Sequence, residues 1–212
     1  MYKNDKKNFK KNLILPILII SLFVLMFILS ILFNLDFLVN QKISSLWGGF
    51  LEEIFLFFGE YLAIILVLSA LVLSFNLFIE KRYKESFVLI MSLILGFLLE
   101  NILKLILQRA RPNNPLLIQG GYSFPSGHAL FSIILFSLCI YFYSDKIKNK
   151  IFKIGFIFLN FLLIFFVSFT RVYLNVHWIT DIFGAYLLGI TIILLSLSAL
   201  KNNFFIKNKN KK

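Results

Sequence analysis

The sequence has one cysteine, two histidines and four prolines in 212 residues, and only 15% of its residues are charged. Cys139 lies in an apolar run with no second cysteine to pair with, which excludes a disulfide framework and a cysteine-rich metal site. Acidic residues are scarce as well: 10 Asp and Glu stand against 22 Lys and Arg, for a net charge of +12. What fills the chain instead is apolar, with 59% hydrophobic residues, 17% aromatics and a mean hydropathy of +0.87. That composition excludes disorder and argues against a soluble domain. The basic excess falls in short clusters between long apolar runs, the pattern of a membrane protein with basic cytoplasmic loops, so nucleic acid is not an expected partner.

A bilayer is crossed by roughly 17 to 25 apolar residues in a helix. Such segments run from Leu13 to Phe33, Ile54 to Ile79, Ser86 to Leu103, Ile154 to Thr170 and Ile182 to Leu200, and a shorter one from Ala129 to Tyr143. The uncharged stretch Ser123 to His128 extends the short segment by a turn, and Asp145 and Lys146 close it. The expected fold is therefore all-α: a polytopic bundle of six transmembrane helices. The first apolar run is too long for the core of a signal peptide and no small-residue cleavage site follows it, so it is expected to remain as a helix. With the N-terminus inside, 17 of the 22 Lys and Arg fall on the cytoplasmic side, which places both termini in the cytoplasm. The organisation expected is a basic cytoplasmic tail over 1–12, a membrane domain over 13–200 and a second basic tail over 201–212. The outer loop from Asn34 to Glu53 reads either as an interfacial segment or as an ordinary loop.

Ionisable groups near a bilayer are costly, and those that remain usually face a cavity or one another. The outer ends of helices three to six carry Glu100, Lys104, Arg109, Arg111, His128, Arg171, His177 and Asp181, including both histidines. In Lys104 to Pro112, Lys104 and Arg111 are seven positions apart, so on a helix both would project from one face about two turns apart. The plainer alternative pairs Glu100 with Lys104 and lets Arg109 and Arg111 reach for the interface. In Phe124 to His128, proline sets the approach, Ser126 suits an N-cap and Gly127 allows a ligand close to the backbone, so the new helix start is an anion site with His128 at its rim. An ordinary capped helix start reads the same way. In Thr170 to Asp181, His177 and Asp181 are four apart. The carboxylate can hold Nδ1 and leave Nε2 as a nucleophile, or the two can form a structural pair. Together the segments supply three cations, a helix N-terminus, an oriented histidine and a second histidine. These are the parts of a phosphoryl-transfer site.

These residues resemble the three-part signature of the type 2 phosphatidic acid phosphatase superfamily, K-x6-RP, PSGH and SR-x5-H-x3-D. Here they stand as Lys104 with Arg111-Pro112, Pro125-Ser126-Gly127-His128, and Thr170-Arg171 with His177 and Asp181. Thr170 departs from the pattern's serine but keeps a hydroxyl. The resemblance implies that His177 attacks phosphorus to form a phosphohistidine, that Asp181 orients it, and that His128 protonates the leaving oxygen and later activates water. It also implies that Lys104, Arg111, Ser126, Gly127, Arg171 and Thr170 bind the phosphate and that neither metal nor cofactor is needed. Two histidines and an aspartate could in principle hold zinc, but three cations in the same pocket oppose one.

A site at the outer surface implies a lipid phosphate of the outer leaflet as substrate and the bilayer as partner. Undecaprenyl diphosphate comes first on chain length and outward placement, with phosphatidylglycerophosphate or phosphatidate as the alternative. A non-catalytic lipid-phosphate or anion transporter is the rival from another class, although no repeat or broken mid-membrane helix is visible. A scaffold with incidental ion pairs is a further rival.

Overall fold

The computed structural model describes residues 34–201, so the first apolar segment and the basic tails, apart from Lys201, lie outside the described residues. Six α-helices follow in order: α1 (Leu35–Ser44), α2 (Gly49–Ile79), α3 (Tyr83–Leu107), α4 (Gly127–Tyr143), α5 (Lys150–Tyr173) and α6 (Ile179–Lys201). A single 3-10 turn, Ser144–Lys146, extends α4, and no strand occurs among the described residues. Helices α2 to α6 are each long and apolar enough to cross a membrane, α4 together with its 3-10 turn, and they coincide with the second to sixth segments read from sequence. The outer loop is in part a helix, α1, and α2 begins at Gly49, ahead of the charged pair Glu52 and Glu53.

The shortest span is the central one. Helix α4 packs against α2, α3, α5 and α6, and Ala129, Leu130, Ile134, Leu135 and Leu138 are sealed from the surface. A 17-residue helix is about 26 Å long, a little under the hydrocarbon thickness. The peripheral helices turn large apolar residues outward instead, such as Phe57, Leu68 and Phe75 on α2 and Phe158 and Phe165 on α5, as expected of surfaces facing lipid. Close helix contact is set by glycine at Gly189 on α6, where an added Cβ would overlap the Ile133 methyl of α4.

Chain alternation brings the starts of α2, α4 and α6 to one end, with the finishes of α3 and α5. At the opposite end lie the basic loops, where Arg82 pairs with Glu80 at 3.3 Å and Glu85 at 3.2 Å, Lys153 pairs with Asp145 at 2.6 Å, and Lys146 pairs with Glu80. Helix α5 starts with the Asn149 side chain accepting from the Ile151 and Phe152 amides at 2.9 and 3.3 Å. At the site end, Phe55 packs its ring 4.2 Å from that of Tyr173, with Phe166 and Phe169 alongside, and Trp47 donates to the Tyr173 carbonyl at 2.7 Å. This aromatic collar holds the last turn of α5 in place just before the chain enters the site.

Candidate active site

The third motif is built on a helix start. Tyr173 ends α5, Asn175 takes a left-handed conformation at φ 55°, and Ile179 begins α6, so His177 stands just outside the helix and Asp181 in its first turn. Asparagine is among the few non-glycine residues that adopt this conformation readily. The sequence expectation placed His177 and Asp181 on one helix; the pair is in fact made across the helix N-terminus. Asp181 Oδ2 accepts from the Trp178 amide at 2.9 Å and lies 3.3 Å from His177 Nδ1. A carboxylate three residues into a helix that accepts the amide just ahead of it is half of a capping box, so the same oxygen caps α6 and orients the imidazole. Both side chains are deeply buried, His177 at 2% exposure and Asp181 at 0%.

The first motif also departs from the helix expected of it. Gln108 takes φ 45° and donates its amide to the Lys104 carbonyl, ending α3 before Arg109. Lys104 and Arg111 are therefore not two turns apart on one helix face. A residue ahead of proline disfavours the α conformation, and Arg111 precedes Pro112. The chain turns instead so that Arg111 Nη1 lies 3.3 Å from His177 Nε2 and donates to the Val176 carbonyl at 2.7 Å. Its Nε and Nη2 bond the Gly120 and Gly121 carbonyls at 3.1 to 3.3 Å, which fixes the plane of the guanidinium.

These contacts determine the tautomer. A guanidinium only donates, so Nε2 is the acceptor and Nδ1 carries the proton to Asp181. Burial lowers the His177 pKa to about 4, with Arg171 and Arg111 adding to the shift and Asp181 opposing it. At neutral pH the ring is uncharged with a lone pair on Nε2, the form a nucleophile requires. Burial also lowers the Arg111 pKa, opposed by the charges of Asp181 and Glu100.

Around His177 lie donors with nothing to donate to. Arg171 is fully buried; its Nη1 reaches the Gly59 carbonyl at 3.4 Å, while Nε and Nη2 have no hydrogen-bond partner among the described residues. Ser126 occupies the N-cap position of α4 as expected, but its hydroxyl makes no capping bond and is likewise buried and unpartnered. An unmet buried donor costs about 1–3 kcal/mol, more for a charged one, and a phosphate oxygen would satisfy it. Ser126 is tied to the third motif by its amide, which donates to the Asp181 carbonyl at 3.2 Å. His128 is half-buried in the first turn of α4, within electrostatic reach of His177, Arg171, Lys104 and Arg111. Thr170 is differently engaged: its hydroxyl donates to the Phe166 carbonyl at 2.8 Å, so its one proton already has an acceptor. Lys104 Nζ lies 2.6 Å from Glu100 Oε1, the helical pair given above as the plainer alternative.

Several contacts in the site, and the residues Asp36 and Asn40 that make some of them, were not read from sequence. Arg109, expected to reach for the interface, donates to Asp181 Oδ1 at 2.6 Å, to Thr180 Oγ1 at 2.7 Å and to Asp36 Oδ2 at 2.5 Å. Asp36, on α1, also accepts from the Thr180 amide at 3.0 Å and its hydroxyl at 2.6 Å. Asn40, one turn further along α1, donates to Asn175 Oδ1 at 2.8 Å and to the His177 carbonyl at 3.0 Å. The one available signal was a carboxylate set between Leu35 and Phe37, a polar group with apolar neighbours.

This arrangement of motifs is matched by a family model. The model described as the PAP2 superfamily matches residues 85–205, more than half of the chain and all three motifs. The chain belongs to the PAP2 superfamily. Phosphatidylglycerophosphatase B of Bacillus subtilis (strain 168) is 33% identical to this PAP2 chain over 116 residues, covering 50% of this chain and 55% of the relative. The chain thus spans about half the length of the curated relative it matches. Among solved structures, the fold is similar to that of the first transmembrane PAP2 type phosphatidylglycerolphosphate phosphatase from Bacillus subtilis. The TM-score is 0.72 at 21% identity, over 93% of this chain and 98% of that one. It is also similar to Aquifex aeolicus LpxE, with a TM-score of 0.59 at 24% identity over 77% of this chain and 95% of that one. The fold is therefore that of a PAP2 membrane protein, as the sequence motifs imply.

Proposed function

We propose that this PAP2 protein is a metal-independent lipid phosphatase that works through a phosphohistidine at His177. The observation that carries this reading is the buried His177, held at Nδ1 by Asp181 and faced at Nε2 by Arg111, beside the unpartnered donors of Arg171 and Ser126. Nε2 attacks phosphorus, the P–N bond forms, the ester P–O bond breaks, and the leaving oxygen takes a proton from His128. Water, deprotonated by His128, then attacks the phosphohistidine, releasing inorganic phosphate and restoring neutral His177. Arg111 and Arg171 neutralise the charge that spreads over the equatorial oxygens. No step calls for a metal ion.

The substrate we favour is a glycerolipid phosphomonoester, phosphatidylglycerophosphate or phosphatidate, ahead of undecaprenyl diphosphate. What supports this order is the relative that is 33% identical, named for phosphatidylglycerophosphate. The site lies at the end away from the basic loops, and by the positive-inside rule we assign it to the side opposite the cytoplasm, with the lipid in the outer leaflet. The orphaned donors fit a catalytic phosphate site better than a scaffold, and the oriented nucleophile has no use in a transporter.

The deciding experiment is phosphate release by the purified full chain in detergent with chelator present, from phosphatidylglycerophosphate, phosphatidate and undecaprenyl diphosphate in parallel. Release that disappears in His177→Ala supports the phosphohistidine reading, and the order of kcat/KM ranks the lipids. A wild-type protein inert on all three points to binding or transport.

A further inference from the structure

The carboxylate of Glu100 lies where an anion would be expected. Glu100 projects from α3 against the first residue of α4, Gly127. A Cβ on Gly127 would stand 2.6 Å from both the carboxylate carbon and Oε2 of Glu100, with Oε1 nearer still. The Glu100 carboxylate thus lies directly against the backbone of the first turn of α4. The same Oε1 receives the Lys104 ammonium at 2.6 Å, and the Glu100 charge is felt at Arg111. The Glu100 side chain is largely covered, at 14% exposure, so water screens these contacts poorly. Glu100 therefore touches two of the residues that the family resemblance assigns to the phosphate, Lys104 and Gly127.

We propose that Glu100 is an internal anion at the edge of the phosphate seat of the empty enzyme, and that phosphate binds only by displacing its carboxylate from Gly127 and sharing Lys104 with it. The inference rests on the phosphatase reading for its biological sense, but its geometry stands without it. A helix start favours negative charge nearby, and when no phosphate is bound the carboxylate lying against the start of α4 is that of Glu100. A phosphate arriving there meets a carboxylate of the same sign within contact distance. Its binding is weakened relative to that in a pocket of Lys104, Arg111 and Arg171 alone. The consequence falls on the product. Inorganic phosphate has no lipid tail to compensate for displacing Glu100, whereas the substrate remains anchored in the bilayer, so the carboxylate selectively favours release of free phosphate.

The test replaces Glu100 by glutamine, which keeps the shape and removes the charge. Glu80→Gln serves as control, since Glu80 pairs with Lys146 and Arg82 at the opposite end of the bundle. Inhibition of lipid hydrolysis by inorganic phosphate is measured in the purified full chain. In parallel, the phosphate-induced rise in unfolding temperature is followed, which needs no turnover. The expected result is an inhibition constant about tenfold lower in Glu100→Gln, with a matching leftward shift of the unfolding titration and no change in Glu80→Gln. Phosphate affinity that is unchanged or weaker in Glu100→Gln in the unfolding titration overturns the proposal. If the wild type hydrolyses no lipid, the phosphatase reading fails, while the unfolding titration still decides whether Glu100 opposes phosphate.

Discussion

Arg109 donates to Asp181 Oδ1 at 2.6 Å from a loop that has already left α3, and its other terminal nitrogen is held by Asp36 of α1 at 2.5 Å. The guanidinium thus bridges two carboxylates. Asp181 keeps Oδ2 for His177 because its other oxygen is occupied, and Arg109 keeps its place because Asp36 balances it.

Replacement of Arg109 by glutamine is expected to leave Asp181 buried with an uncompensated charge. A broken buried pair of this kind costs about 3–5 kcal/mol, discounted here because Arg109 is 17% exposed. Denaturant unfolding should show a clear loss of stability, and kcat should fall along with it. Wild-type values of both would show that Asp181 does not depend on the bridge.

Loss of the proposed nucleophile, His177, and loss of its proposed orienter, Asp181, are expected to differ. His177→Ala should remove turnover altogether and leave no acid-labile phosphoryl group on the protein after a quench with labelled substrate. Asp181→Asn should retain a measurable rate, lowered about 10²- to 10⁴-fold, because the imidazole remains but its tautomer is no longer enforced. Equal rates for wild type and Asp181→Asn would remove the orienting role.

The pH dependence follows from burial. The proposed attack requires neutral His177, and burial lowers its pKa to about 4, so the active form persists as pH falls until that value and is lost below it. The acid limb of kcat/KM for the free enzyme should accordingly lie well below the ordinary imidazole range. Asp181 raises the His177 pKa, so in Asp181→Asn the limb should move further to acid. A limb near 6.5 in the wild type would assign the limb to a histidine in water and not to the buried His177.

Thr170 offers a contrast. Its hydroxyl proton is spent on the Phe166 carbonyl within α5, so restoring the family's serine should change kcat/KM by less than about threefold. Serine can make the same bond to the turn below. A large gain in activity would mean that the threonine methyl had been holding the hydroxyl away from phosphate.

The hinge at Asn175 carries a conformational requirement. Asn175→Ala is expected to cost about 1–2 kcal/mol for the left-handed backbone alone, and it also removes the bond from Asn40 and the donation to the Asn113 carbonyl at 2.7 Å. Asn175→Gly relieves the first loss without restoring the second. Comparing the two by thermal unfolding separates backbone strain from side-chain bonding, and equal losses would assign everything to the bonds.

The second to sixth spans were legible because a bilayer demands long apolar runs, and composition alone displays them. The site residues were legible as a set because charges at the ends of such runs are few and both histidines were among them. Local geometry was less so. The regular spacing of Lys104 and Arg111 suggested one helix face, yet Gln108 and the proline after Arg111 break the helix between them. The expected helical pair of His177 and Asp181 became a cap across a helix start. Both errors came from extending a periodic pattern past a terminus, where periodicity has no force. Asp36 and Asn40 were missed because their partners lie more than 70 and 130 residues away in the sequence.

By itself the sequence determined the membrane-spanning class of this protein, its family and the chemical types gathered at one end, since each is a property of composition or of residues in fixed order. The tertiary structure decided which charges meet. It set Arg109 between Asp36 and Asp181, turned Arg111 onto His177 Nε2, and laid Glu100 against Gly127. Such contacts depend on how separate helices pack and where each one ends, and burial makes them strong, because a charge removed from water must find its partner inside the protein.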